Sequence, residues 1–247
     1  MKLINLNIQG GVAYESLIEF IKRHAQNTDF FCFQEVFHHG IVKRWLLENA
    51  RPDIFSEIQD ILQNFNGYYA NPKENDIGGL AIFIKKDFFV EKVGNIVLFE
   101  ELNTTTDETD KSYFAMGRNL QSLQFNHLGK TYIIFNFHGM WIFKNKTDTE
   151  KRILQSEKIK KIFDESKGAK ILCTDLNVEP NTKSVAILNE GNINLIEEYK
   201  ITSTRSLSKN RPEIVDYVIT SPEIKVSNFE VLKDEVSDHL PLLLDFK

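Results

Sequence analysis

The sequence predicts an α/β protein in which one or more mixed β-sheets carry helices on their outer faces. Three observations predict it. Segments with apolar residues at helical spacing alternate with strand-like segments. Several strand-like segments are near-continuous apolar runs, as in strands covered on both faces. The turn-like HLGK at 127–130 joins two strand-like segments directly, which signals an antiparallel hairpin.

KLINLNI (2–8) reads as the first strand. Residues 14–26 set Leu17, Ile18, Ile21 and Ala25 at helical spacing, and DFFCFQEV (29–36) reads as a strand buried on both faces. Two helices interrupted at Pro52 follow, one near Trp45 and one with Ile58, Ile61, Leu62 and Phe65 on a single stripe. GGLAIFIKK (78–86) is a strand opened by a glycine pair. Residues 88–98, 113–126 and 131–137 read as long strands, and the acidic, Thr-rich EELNTTTDETDK (100–111) as a solvated loop. A charged amphipathic helix over 148–165 leads to the buried strand AKILCTDLN (169–177). A short helix over 182–189 precedes the strands EIVDYVIT (213–220), KVSNFEVL (225–232) and LPLLLDF (240–246). No repeat, low-complexity tract or Pro/Gly/Ser linker divides the chain, so residues 1–247 are expected to form a single domain.

With 247 residues, 42% apolar and 26% charged, the composition is that of a globular protein and speaks against disordered and fibrous classes. The 19 phenylalanines read as core filling. A net charge of −5 counts against tight non-specific binding to nucleic acid, although it leaves a nucleic-acid substrate open. Cys32 and Cys173 both lie in apolar strand runs and read as buried free thiols in a reducing compartment, not as a disulfide or a metal pair. No signal-peptide pattern or membrane-length apolar run is present, so the expectation is a cytoplasmic, soluble monomer without membrane insertion.

The chemistry lies where the strands stop. Asn7 ends the first strand, Gln34 and Glu35 the second; Asn136 and His138 end the 131–137 segment, and Asp175 and Asn177 end KILCTDLN. Asp216 lies within EIVDYVIT, and Asp238 and His239 open the last strand. Taken singly, an Asn or Asp after a strand is a turn residue, and His24, His38, His39 and His127 receive no role. Glu35 and Asp216 are less easily dismissed, because a carboxylate in apolar surroundings costs several kcal/mol unless it is paired. Together the polar strand ends describe one cleft at the rim of the sheet, the place where α/β folds bind ligands. Asn7, Glu35, Asp175, Asn177 and Asp238 form an oxygen-rich set without thiolates, which suits Mg²⁺ or Mn²⁺. A hard cation with two acids and a histidine is equipment for phosphate-ester hydrolysis.

These residues carry a resemblance. In order, LNIQG, FQEV, NFHGMW with its following RILQ helix, CTDLNVEP, IVDYVIT and SDHLPL resemble the endonuclease/exonuclease/phosphatase superfamily, the DNase I-like fold. The resemblance implies a four-layered α/β sandwich, two mixed sheets packed face to face with helices outside, and a divalent-metal phosphoesterase. It implies Glu35 as the main metal ligand with Asn7 beside it, and Asp238 next to the metal directly or through water. Asp175 would orient or deprotonate the attacking water. Asn177 and His138 would contact the scissile phosphate, and His239 would stabilise the transition state with Asp216 holding its imidazole. Neighbouring residues of an extended chain face opposite ways, so Asp216 and not the adjacent Asp238 is the expected partner of His239. Gln9 stands where the DNA-repair branch has Asp, and Leu6 replaces a common aromatic, which turns the expectation away from DNA repair.

Arg205, in ITSTRSL, is a candidate contact for a substrate phosphate, with a plain loop arginine as the alternative. The leading expectation is therefore hydrolysis of a phosphodiester or phosphomonoester. The alternatives are a nuclease acting on DNA or RNA and an inactive binding module of the same fold. Substrate choice is expected in the loops at 37–43, 71–76, 98–113, 140–148 and 202–212. Met140, Trp141 and Phe143 read as a packed loop anchor, or as a surface for a base, lipid or sugar.

Overall fold

The structure is a computed structural model that describes residues 1–39, 49–72, 78–100, 117–142, 144–206 and 212–247. Two six-stranded sheets form its centre. The first takes β11 (Val226–Val231), β12 (Leu242–Phe246), β1 (Lys2–Asn7), β2 (Phe30–Val36), β4 (Gly79–Lys85) and β3 (Phe65–Ala70), in that order. The second takes β5 (Phe89–Phe99), β6 (Arg118–His127), β7 (Lys130–His138), β8 (Ala169–Asp175), β10 (Asp216–Thr220) and β9 (Ile193–Asn194). Both are mixed. β1 and β2 run parallel in one sheet and β7 and β8 in the other, and the remaining neighbours are antiparallel. The helices are α1 (Tyr14–Ala25), α2 (Ile54–Ile61), α3 (Glu150–Glu165), α4 (Lys183–Asn189) and α5 (Leu195–Glu198). Among the described residues, no helix is long and apolar enough to cross a membrane.

The strand pleat explains the layering. In β1, Ile4 and Leu6 pack with Leu17, Phe20 and Ile21 of α1 and with Ile54 and Ile58 of α2. Leu3 points the other way, into a core shared with Leu120, Ile134, Leu172 and Val218 of the second sheet. Alternation along a strand thus gives the first sheet a helix-covered face and a sheet-covered face. Ile159 and Phe163 of α3 and Val185 and Leu188 of α4 cover the second sheet. Phe20, Phe30, Phe31, Phe33, Phe83, Phe125 and Phe137 are fully buried, so the high phenylalanine content fills the core. Cys32 and Cys173 are free and buried.

Several elements differ from the sequence reading. Phe65 leaves the helical stripe and opens β3, because α2 stops at Ile61 and Leu62 and Asn64 turn the chain. β3 itself, the short β9–α5 unit and the 3₁₀ turn Gln9–Gly11 have no counterpart in that reading. β10 starts at Asp216, three residues later than expected. The tight turn HLGK is present, with Leu128 and Gly129 both left-handed, the geometry a two-residue hairpin requires. The expected helix near Trp45, residues 113–116, the loop 100–111 beyond its first residue, and Phe143 lie outside the described residues.

Candidate active site

The parallel pairs of the two sheets end at the same rim. Asn7 stands opposite Gln34 on the first sheet, and His138 opposite Asp175 on the second. Asp216, from the antiparallel β10, stands on the other side of Asp175. Asn7 bridges the sheets: its Nδ2 donates to Glu35 Oε1 at 2.9 Å and to Asp175 Oδ2 at 3.0 Å. Its Oδ1 accepts from Gln9 N at 3.0 Å, which fixes which end of the amide faces the acids. In this arrangement Asn7 presents no oxygen toward Glu35; it spaces two carboxylates.

Strict alternation would send Glu35 to the helix side with Phe31 and Phe33. A β-bulge prevents this. The β2–β4 register shifts between Gln34 and Val36, and Glu35 takes a left-handed φ of 55°. That backbone is unfavourable for a residue with a side chain, on the order of 1 kcal/mol, and it turns Glu35 toward Asn7. Gly78 packs against the bend; a Cβ there would sit 3.3 Å from Glu35 Cα.

His239 is held from behind. Its Nδ1 lies 2.9 Å from both Asp216 oxygens, and Thr204 Oγ1 donates to Asp216 Oδ2 at 2.7 Å. Its Nε2 faces Asp175 Oδ2 at 3.6 Å. Burial works against charge on this imidazole, but Asp216 and Asp175 outweigh it and lift its pKa to about 9. His138 behaves oppositely: burial drives its pKa down to about 3 despite Asp175, so it is neutral. Its Nε2 lies 3.6 Å from Asp175 Oδ2, 3.7 Å from Glu35 Oε1 and 3.2 Å from Asn177 Nδ2. Asp175 Oδ2 is therefore the hub on which Asn7 and both histidines converge. The second oxygen of Asp175 accepts from Asn177 N at 3.0 Å, with Asn177 itself left-handed at φ 59°.

The loop after β7 completes the rim. Arg152 on α3 is fully buried and donates to the carbonyls of Met140, Asn145 and Thr147, and to Asn145 Oδ1. Gln155 Oε1 accepts from Met140 N at 3.1 Å. This scaffold carries Lys146, whose Nζ donates to Asn177 Oδ1 at 2.7 Å. Burial lowers the Lys146 pKa, and Asp175 and Glu213 oppose the shift. Lys146 and the supporting Thr204 escaped the sequence reading, because an isolated Lys or Thr in a loop carries no pattern. Met140 is buried, as a loop anchor is, and Trp141 is partly exposed.

The structure brings Asn7, Glu35, His138, Asp175, Asn177, Asp216 and His239 together. Arg205 joins them, donating to Asp238 and lying beside His239 Nε2, where its positive charge opposes that of the imidazolium. The side chains of Asn136 and Gln34 do not join this cluster. They lie between the sheets, where Gln34 Nε2 donates to Asn136 Oδ1 at 2.7 Å and to Asn5 Oδ1 at 2.8 Å. Asp238 and His239 precede β12 in a loop; they do not open the strand.

A family model described as Endonuclease/Exonuclease/phosphatase family matches residues 4–239. The chain belongs to this family. No curated protein matches the sequence. Among solved structures, a mannosyl-6-phosphatase of Bacteroides thetaiotaomicron VPI-5482 is 18% identical, with a TM-score of 0.76, covering 100% of this chain and 99% of its own. The human Nocturnin catalytic domain with bound sulfate anion is also 18% identical, with a TM-score of 0.68 over 100% of this chain and 93% of its own. D. rerio TDP2 complexed with single strand DNA product is 13% identical, with a TM-score of 0.74 over 100% and 98%. At these identities the likeness is one of fold.

The residues of this family member fit a divalent cation. Burial raises the Glu35 pKa against the hydrogen bond from Asn7, and Asp238 and Asp175 add repulsion. Glu35, His138 and Asp175 offer ligand atoms within 4.8 Å of one another. Acids crowded in this way, with Asp175 buried and Glu35 and Asp238 partly exposed, favour a compensating positive charge.

Proposed function

We propose that this protein is a divalent-metal-dependent phosphoesterase that hydrolyses a phosphomonoester or phosphodiester. The convergence of Asn7, His138 and His239 on Asp175 Oδ2, next to Glu35, carries the reading. Glu35, with Asp238 beside it, would hold Mg²⁺ or Mn²⁺, and Asn7 ties Glu35 to Asp175 through its Nδ2. A cation held there would supply Lewis-acid polarisation of the phosphoryl group. Asp175 aligns the attacking water and takes its proton as the bond from phosphorus to the leaving oxygen breaks, and the departing alkoxide takes up a proton from solvent. His239, protonated and oriented by Asp216, donates through Nε2 to the phosphoryl oxygens where negative charge grows. Neutral His138 and the Asn177 amide contact the same phosphate, and Lys146 and Arg205 flank it as cations.

The net charge of −5 favours a small phosphoester over a long nucleic acid. The nuclease reading draws support from the fold of D. rerio TDP2 complexed with single strand DNA product. Chelator-sensitive release of labelled nucleotides from oligonucleotides would establish it. The test of the main reading is kinetic: Glu35→Ala, Asp175→Asn and His239→Ala should each lower kcat by at least roughly a hundredfold, the scale of losing one acid–base or electrostatic group. Near-normal rates in all three would refute it.

A further inference from the structure

We propose a second metal site, with ligands distinct from the Glu35–Asp175 group, formed by His38, His39 and Asp53 and suited to a borderline divalent ion such as Zn²⁺. His38 Nδ1 lies 2.8 Å from Asp53 Oδ1, and His39 Nδ1 lies 3.2 Å from Asp53 Oδ2. One ligand atom from each residue falls within 4.8 Å of the other two. Two adjacent histidines thus aim the same ring nitrogen at the two oxygens of one carboxylate.

Two features of the local chain point to a chelate. Asp53 sits at the N-cap of α2, where an Asp ordinarily accepts from a backbone N–H of the first turn; it makes no such bond and instead takes the Ser56 hydroxyl and the two histidines. His39 adopts a left-handed φ of 51°, the backbone that lets the second imidazole reach the same carboxylate as the first. The three groups are also pre-positioned. The His38 ring packs against Phe55 at 4.8 Å and edge-on to Tyr69 at 5.2 Å. Phe55 N donates to Phe37 O at 3.0 Å, which fastens the first turn of α2 to the loop after β2.

The donor set separates this site from the cleft. Two imidazoles and one carboxylate suit zinc and its neighbours, whereas the oxygen-rich cleft suits Mg²⁺ or Mn²⁺. Three protein ligands leave a fourth tetrahedral position for water, and the exposure of His39, 74% for its side chain, leaves that position open. When the ion is absent, both Nδ1 atoms can serve Asp53 as hydrogen-bond donors. Ligating through Nδ1, each imidazole would be neutral and carry its proton on Nε2. The ion would tie His38 and His39, which follow β2, to the start of α2.

The test is a calorimetric Zn²⁺ titration of metal-free protein in excess Mg²⁺, which occupies the oxygen-rich cleft, together with anomalous diffraction from zinc-soaked crystals. Wild type should show a zinc equivalent whose affinity falls at least about tenfold in both His39→Ala and Asp53→Asn, the least expected on losing a ligand. The anomalous peak should lie about 2 Å from both Nδ1 atoms. His39 is exposed, so His39→Ala should melt with wild type when metal is absent, and Asp53→Asn keeps the shape of the carboxylate should His39→Ala misfold. Equal titrations in wild type and both variants, or an anomalous peak confined to the Glu35–Asp175 cleft, would overturn the site.

Discussion

The state of His239 decides how the cleft responds to pH. Its pKa is raised to about 9, because Asp216 and Asp175 outweigh burial, so the imidazolium dominates below that value. A rate that needs the imidazolium is therefore retained through neutral pH and falls as pH rises through about 9. The pH–rate profile of kcat/KM checks this; a profile that keeps rising past pH 9 to 10 would contradict it. Lys146 offers a second test at this scale. Its contact with Asn177 Oδ1 sets the amide so that Nδ2 faces His138, and Lys146→Ala should lower kcat/KM by roughly a hundredfold, as loss of one preorganised donor does. An unchanged kcat/KM would remove Lys146 from the site. The sequence displayed the acids and histidines because they interrupt apolar strands. Lys146 stayed hidden because its place depends on the contact of Arg152 with distant carbonyls, which no local pattern records.

At the scale of elements, two devices aim side chains that periodicity alone would misplace. The bulge at Glu35 reverses the face that alternation assigns, and α3 holds the 140–147 loop through Arg152 and Gln155. Arg152→Leu would leave the carbonyls of Met140, Asn145 and Thr147 without their donor, at a cost of about 3 kcal/mol or more. The same substitution should reduce kcat/KM, because Lys146 and Asn177 depend on that loop. Leu154→Ala, on the exposed side of the same helix, should do neither. Denaturant unfolding and kinetics of the pair check both halves, and a stable, fully active Arg152→Leu would contradict them. The central strands were legible because strands covered on both faces become long apolar runs. β3 was not, because FNGYYA mixes polar and aromatic residues and its Phe65 falls by chance on the α2 stripe. β9 is two residues long and leaves no periodic trace.

At the scale of the molecule, the cleft exists because two sheets face each other and their parallel pairs stop at one rim. No strand carries the site alone: Asn7 and Glu35 come from the first sheet, and His138, Asp175 and Asp216 from the second. This explains why polar strand ends scattered from residue 7 to residue 239 could be read from the sequence as one site. It also explains the failures of that reading. Asn136 and Gln34 have the same strand-end signature, but their side chains pair with each other between the sheets. Gln34 stands in register with Asn7, so the partners a side chain meets, and not its position along the strand, separate a working polar group from a structural one, and those partners are set by packing. The most direct test of the whole account is a screen of phosphomonoesters and phosphodiesters with Mg²⁺ and Mn²⁺, run in parallel with Asp175→Asn and with chelator. The account predicts metal-dependent release of phosphate or alcohol from at least one class, abolished by chelator and lowered at least roughly a hundredfold in Asp175→Asn. Turnover that survives chelator and the substitution, or no turnover on any phosphoester beside measurable metal binding, would contradict it.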